Sequence, residues 1–359
     1  MIGRSWVSRA TACVGLFAVA VLLGCGSATT VTPVPAATAD PNRLTAVVGL
    51  GREGFSGDGG PATRAELRFP RGVAVDRAGN LFVADWGNHR IRRVDASTGI
   101  ITTVAGTVRK GFSGDGGAAT SAELRFPFGV AVDRSGNLFI ADSGNHVIRR
   151  VDAGGIITAV AGSGERGFKG DGGVATKAQL ASPQGLAIDE SGNLFIADRD
   201  NNRVRRVDAA TGIITTVAGA SAFGFGGDGG PAASAQLWSP GAVALDGAGN
   251  LFIADTENDR IRRVDARTNI ISTVVGPSVI SEIQGPQGVA VDSAGNLYIA
   301  SRSNHRVRRL DATTSAVTTV ASGGPENGLK SPHSVAVAGD TYLFIADTDN
   351  HRVLRVGIR

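Results

Sequence analysis

The chain has 359 residues, 36 Lys and Arg against 32 Asp and Glu, and 51 Gly, with 42% apolar and 5% aromatic residues. That apolar content excludes a disordered chain, the aperiodic Gly excludes collagen, and a net charge of +4 is too small to imply a polyanionic partner. The 2 Cys, Cys13 and Cys25, lie within and at the end of an N-terminal apolar run, which leaves no thiol for a disulfide, a zinc site or a nucleophile in the body of the chain.

In chain order the first element is an export signal. Arg4 and Arg9 form a positive start, and residues 14–23 an apolar stretch of secretory length. It falls short of the roughly 20 residues a spanning helix needs. The stretch ends Leu22-Leu23-Gly24-Cys25, which resembles the lipobox of bacterial lipoproteins. That resemblance implies removal of residues 1–24 and lipidation of Cys25. The protein is then expected to be extracytoplasmic, on the periplasmic side or the cell surface, and held to the membrane by its lipid alone. Residues 25–42, rich in Ala, Thr and Pro without apolar periodicity, read as a flexible tether.

Beyond the tether one unit recurs six times, of the form P-x-G-V-A-V-D-x-x-G-N-L-F-I-A-D-x-x-N-H-R-I-R-R-V-D. Its first prolines are Pro70, Pro127, Pro183, Pro240, Pro286 and Pro332, spaced 57, 56, 57, 46 and 46 residues apart. The first unit reads as strand a (73–75), a tight turn (76–80), strand b (81–84), strand c (90–94) and strand d (100–105). Few strand positions are polar on one face, so both faces of each sheet are expected to be covered. Radial stacking of four-stranded antiparallel sheets covers them, giving an all-β, six-bladed β-propeller. The sixth unit stops after its third strand, at Val356-Gly357-Ile358-Arg359, whereas residues 43–49 form a strand before the first unit. This N-terminal strand is predicted to complete the last blade of one domain, residues 43–359.

The b–c turns carry a more specific signal. Asn88-His89-Arg90, Asn145-His146-Val147, Asn304-His305-Arg306 and Asn350-His351-Arg352, each followed by Ile or Val, resemble the NHL repeat. Asn201-Asn202-Arg203 and Asn258-Asp259-Arg260 are divergent copies. NHL propellers include scaffolds, RNA binders, sensor domains of bacterial receptor kinases and lyases that cleave amidated-peptide precursors. The resemblance therefore implies the propeller and leaves the function open.

Most recurring residues read as architecture. The Asp ending strand b (Asp85, Asp142, Asp198, Asp255, Asp347) is expected to accept N–H groups of the b–c turn, with the following Asn left-handed. A catalytic carboxylate would differ from its repeats; only Ser301 does, in the fifth unit. His89, His146, His305 and His351 share one repeat position, and neighbouring sheets lie about 10 Å apart. Zinc holds its ligands at about 2.0–2.1 Å, so no metal site is expected from them. Strand-c arginines such as Arg92, Arg93, Arg205 and Arg206 are spread around the ring and can pair with Asp95 or Asp208. A nucleic-acid binder would gather its charge on one face, so no nucleic acid is expected.

The links between units are less plain. GFSGDGGPATRAEL at residues 54–67 recurs at 111–124, 167–180 and 224–237. Each copy pairs a Gly-rich loop with a short helix-like tail, which Pro61 or Pro231 suits. One carboxylate per copy (Asp58, Asp115, Asp171, Asp228) is too few for calcium, which takes about six to eight oxygens. A self-packed loop is expected.

These insertions precede units one to four only, which predicts an uneven rim around the channel mouth. There the residue after each repeat Pro varies: Arg71, Phe128, Gln184, Gly241, Gln287, His333. The first residues of the b–c turns vary too, Trp86, Arg199 and Arg302 among them. Variation on a repetitive background, on loops of a rigid frame, marks where a site can be grafted. The candidate ligand-binding residues are Arg71, Trp86, Phe128, Gln184, Arg199, Gln287, Arg302 and His333. They suit a monomeric, non-catalytic binding module for a protein, peptide or glycan ligand, without a cofactor. The alternative is a metal-assisted lyase or a lactonase-like hydrolase at the channel, for which His333 alone among the six equivalent positions offers a metal ligand.

Overall fold

In the computed structural model, residues 43–220, 222–277, 283–323 and 328–358 are described. The export signal, Cys25 and the tether lie outside the described residues. The repeats fold into six four-stranded antiparallel sheets, and the described residues hold no α-helix. In the first blade strand a (Pro70–Val75) lies innermost, followed outward by b (Leu81–Asp85), c (Arg90–Val94) and d (Ile101–Ala105). Strand a begins earlier than its apolar run suggested, because the repeat Pro already pairs with the Asp that ends strand b. A proline, having no N–H to give, is tolerated at the first position of a strand. The register then shifts between Pro70 and Val73. Such a bulge bends the strand and re-aims the side chains within it.

The sixth blade is built from both ends of the propeller chain. Thr45–Val48 pairs antiparallel with Arg352–Gly357, which continues to Tyr342–Asp347 and Pro332–Ala338. The closure expected from the missing strand is present. Strand b is buried along its whole length in blade one, as a sheet covered on both faces requires. The core is accordingly divided into six apolar layers, one between each pair of neighbouring blades. Phe82, Ile91, Leu124, Ile140 and Ile157 fill the first of them.

A side-chain latch crosses every blade boundary. His89 is left-handed, at φ +57°, and its Nδ1 accepts the N–H of Phe126 at 3.2 Å, just before strand a of the next blade. The same bond joins His146 to Ser182 (3.1 Å), Asn202 to Ser239 (2.8 Å), Asp259 to Gly285 (2.7 Å) and His305 to Ser331 (2.9 Å). His351 and Phe69 close the ring at 3.2 Å. His, Asn and Asp interchange here because each carries a short-reach acceptor, and Asn and Asp in particular tolerate left-handed backbone. The left-handed residue is thus the one after the Asn. Asn88 is instead a brace, donating to Asp85 at 2.8 Å and to the Gly54 carbonyl at 2.7 Å. The backbone N–H that Asp85 accepts is that of Arg68, in the d–a link, at 2.7 Å, not one of the b–c turn.

The insertions are straps over the outer strands. Gly59 and Gly60 exchange backbone hydrogen bonds with Ile101 at 2.8 and 3.0 Å, which covers the open edge of strand d. Asp58 accepts from Arg92 Nη2 at 2.7 Å and from the Thr103 hydroxyl at 2.6 Å. Asp115–Arg149, Asp171–Arg205 and Asp228–Arg262 repeat the ion pair, each at 2.6 Å. Each carboxylate of the Gly-Asp-Gly-Gly element is therefore occupied by an arginine. The tail is a single 3-10 turn, Ala62–Arg64, entered from Pro61. The straps run outward along strand d, so the unevenness expected around the mouth is an unevenness of the outer edge.

Beneath each strap the arginine meets a second carboxylate. Arg92, wholly buried, lies 3.5 Å from Asp85, also wholly buried. Burial pushes Asp85, Asp198 and Asp255 up to about 6 and Asp142 up to about 7, against the pull of their hydrogen bonds and of the arginines. The arginines of strand ends behave as expected, Arg93 pairing with Asp95 at 3.1 Å and Arg206 with Asp208 at 3.0 Å.

Candidate ligand site at the channel mouth

The bulge after each repeat Pro brings the variable residues of strand a together across the channel. Arg71 of blade one and His333 of blade six meet, Nη1 to Nε2, at 2.7 Å. His333 Nδ1 lies 2.8 Å from the Ser331 carbonyl. A carbonyl only accepts, so Nδ1 carries the proton and Nε2 accepts from Arg71. His333 is 3% exposed. Burial and then the Arg71 charge hold its pKa well below 6.5, with the Ser331 carbonyl pulling weakly the other way. The imidazole is neutral.

Arg71 is also stacked. Its guanidinium carbon lies 4.6 Å from the Trp86 ring centroid and 5.2 Å from that of Phe128, which in turn sits 6.0 Å from His333. Trp86 is held by Phe126, with centroids 4.7 Å apart, and by Phe69 edge-on at 6.4 Å. Burial first, then Arg302, lowers Arg71 to about 10; Asp349 opposes this and Arg199 adds to it. Among the described residues Arg71 has no ion-pair partner, and its Nε is buried without a hydrogen bond.

Opposite this cluster, Gln287 of blade five donates to Gln184 of blade three at 2.9 Å. The bridge passes Gly241 of blade four. A Cβ there would lie 2.3 Å from Gln287 Nε2 and 2.7 Å from Thr256 Oγ1, so the glycine is what allows the two amides to meet. Arg199 pairs with Asp200 at 2.9 Å and reaches Glu257 at 3.9 Å. Arg302 is exposed and acts on Arg71 and His333 through its charge.

The eight candidates thus divide. Arg71, Trp86, Phe128 and His333 form one packed cluster, Gln184 and Gln287 a second, and Arg199 and Arg302 stand at the rim. Phe69, Phe126 and Asp349 belong to the same surroundings and were missed, although the two Phe precede repeat prolines where other blades carry Ser or Gly. Among the described residues no group of three or more His, Cys, Asp and Glu is placed to hold a metal. A cleft of about 460 Å³ lies at the other end of the channel, between the a–b turns of blades two to four. Its acidic residues are engaged locally: Asp133 accepts from Asn137 at 2.6 Å and Glu190 pairs with Arg134.

Against known proteins, the teneurin NHL domain family matches residues 50–112, 107–169 and 164–225, and the NHL repeat family matches residues 284–310. Teneurin-1 of Mus musculus is 33% identical over 233 residues, which is 58% of this chain and 8% of that protein. NHL repeat-containing protein 2 of Bos taurus is 30% identical over 243 residues, 60% of this chain and 33% of that one. The chain spans a minor part of either relative. Among solved structures, a gluconolactonase from Xanthomonas campestris is similar with a TM-score of 0.60 at 16% identity, over 88% of this chain and 90% of that one. Virginiamycin B lyase from Staphylococcus aureus is similar with a TM-score of 0.52 at 15% identity, over 88% and 89%. At such identities the likeness carries the fold alone.

Proposed function

Starting from a chain that belongs to the NHL-repeat family and folds as a six-bladed propeller, we propose that it is a non-catalytic binding module. It is anchored by a lipid outside the cytoplasm and holds a protein, peptide or glycan ligand at its channel mouth. The observation that carries this reading is the convergence of Arg71, Trp86, Phe128 and His333, four residues unlike their repeats, on one sector of the mouth. Stacked aromatic and guanidinium groups on a rigid frame are what binding hot spots are made of. The anchoring half rests on the apolar run ending Leu22-Leu23-Gly24-Cys25.

Chemistry at the mouth would need a group free to move a proton or hold a metal. The neutral His333 has one accepting nitrogen, and Arg71 occupies it. Binding is therefore the reading the geometry favours over a lyase or a lactonase. Peptide and glycan arrays probed with the purified chain and with Trp86→Ala test it. A ligand held by the first and lost by the second supports the mouth as the site. A ligand held equally by both, or turned over by either, refutes the reading.

A further inference from the structure

The unpaired charge at the mouth narrows the ligand. Arg71 is largely buried, and a guanidinium buried without a counter-charge is costly unless something supplies one. Its guanidinium packs against Trp86 and Phe128, and its Nη1 meets a neutral imidazole. What stays open is hydrogen-bonding capacity: Nε has no partner, and no bond from Nη2 is present among the described residues. Arg302 adds a second positive charge nearby, whereas Arg199 is already paired with Asp200. Among the described residues Asp349 is the one carboxylate whose charge bears on Arg71, and it forms no ion pair with it. The four wholly buried arginines, Arg92, Arg149, Arg205 and Arg262, each have two carboxylates within 4.0 Å. Arg71 departs from that habit.

We infer that the mouth selects a ligand bearing a carboxylate, which completes Arg71 in the way Asp58 and Asp85 complete Arg92, with the carbon body of the ligand lying against the Trp86 edge of the cluster. A monoanion fits better than a dianion, because Asp349 opposes the second charge. The inference rests on the reading of the mouth as a ligand site. An acidic sugar and the C-terminus of a peptide share this chemistry, and matched probes separate them.

The experiment follows the indole N–H resonances of the full mature chain, in which Trp86 reports on the mouth and Trp238 on the d–a link of blade four. Glucuronate is compared with glucose, N-acetylphenylalanine with its amide, and inorganic phosphate is titrated alone. The acid of at least one pair is expected to shift Trp86 and not Trp238, and to bind at least about tenfold more tightly than its neutral partner, the range of a charged hydrogen bond. Which pair responds identifies the source of the carboxylate. Arg71→Met should abolish the preference and Arg71→Lys should keep part of it, with an unmoved Trp238 resonance reporting that both variants are folded. If acid and neutral probes bind alike, or phosphate binds as well as either acid, carboxylate selection is wrong while the mouth remains a site. If none of the probes shifts Trp86, the carboxylate inference fails, and the broader reading is judged by the arrays.

Discussion

Replacing Arg92 with Met removes the central cation of the first strap and leaves most of its volume. The side chain is fully buried and holds three groups. Asp58 lies at 2.7 Å, the Ser56 carbonyl at 3.1 Å and Asp85 at 3.5 Å. Breaking a buried pair from one side costs about 3–5 kcal/mol, because the remaining charge is left in a dry site. Asp58 keeps a path to water, with its side chain 38% exposed, so most of that cost falls on Asp85. Asp85 already sits at about 6 with the guanidinium beside it. Without it the pKa climbs further, which favours the protonated carboxyl. The sign follows. A folded pKa raised above the unfolded value contributes stability that is present below the unfolded pKa and lost as pH rises through the folded one. In the wild type that loss runs from about pH 4 to about pH 6; in the variant it continues to higher pH. The deficit of Arg92→Met should therefore be smaller at about pH 5 than at about pH 8, by about 1.4 kcal/mol for each unit of further rise in the pKa. Asp58→Asn, at the wet end, should cost only about 1 kcal/mol. Urea denaturation at the two pH values reads all of this, and adding Asp85→Asn to Arg92→Met should recover part of the loss at the higher pH. A deficit independent of pH, or no larger than that of Asp58→Asn, would refute the assignment of the cost to Asp85.

Other consequences can be checked separately. Deleting residues 43–49 removes Val48, wholly buried, and bares an edge of blade six, so it should cost about 3 kcal/mol or more; deleting residues 26–39 should leave the thermal midpoint near that of the parent, and equal midpoints for the two deletions would contradict closure by this strand. Trp86→Ala should weaken ligand binding by about 2 kcal/mol or more and, through its contacts with Phe126 and Phe69, lower stability by about 1 kcal/mol, whereas Val73→Ala should destabilise by about 1–3 kcal/mol and leave affinity intact in calorimetric titration. The His333 ring, with its folded pKa held well below 6.5, should still be neutral by NMR at about pH 6.5, where a free imidazole is half protonated; because the unfolded chain takes up that proton first, stability should fall as pH drops below about 6.5, and His333→Gln should flatten the fall. Cys25→Ser should move the protein out of the membrane fraction or leave it unprocessed, and unchanged fractionation would remove the lipid anchor from the proposal.

The blade count, the strand order and the closure were legible because each rests on periodicity, which survives in every copy. Strand limits were less so. Val75 reads as a buried residue of strand a, but it is half-buried near the a–b turn, and Val73 is the core residue. The role of the straps was hidden because a Gly-Asp-Gly-Gly loop has no local partner for its carboxylate. Yet Asp58 and Arg92 are 34 residues apart, and the pairs at Asp171 and Asp228 keep that spacing. Where the strap is missing, blade six carries Leu354 at the position of Arg92, and in blade five Arg308 bonds to Thr319 at 2.8 Å. That internal agreement was the available signal. At the mouth, variation among the repeats found Arg71, Phe128 and His333, since all three replace one another in the unit. The same signal was there for Phe69 and Phe126, which stand where other blades carry Ser or Gly; what left no trace was the left-handed backbone, at φ +49° and +51°, that turns them toward Trp86.

The latch from His351 to Phe69 is chemically the same as the one from His89 to Phe126. The ring therefore treats the boundary after blade six, the blade assembled from both ends of the propeller chain, as it treats the other five. Order along the polypeptide and order around the circle are independent, and a chain rearranged to start between any two blades would meet the same six boundaries. A join made in blade six and a cut made between two other blades would return the same wheel.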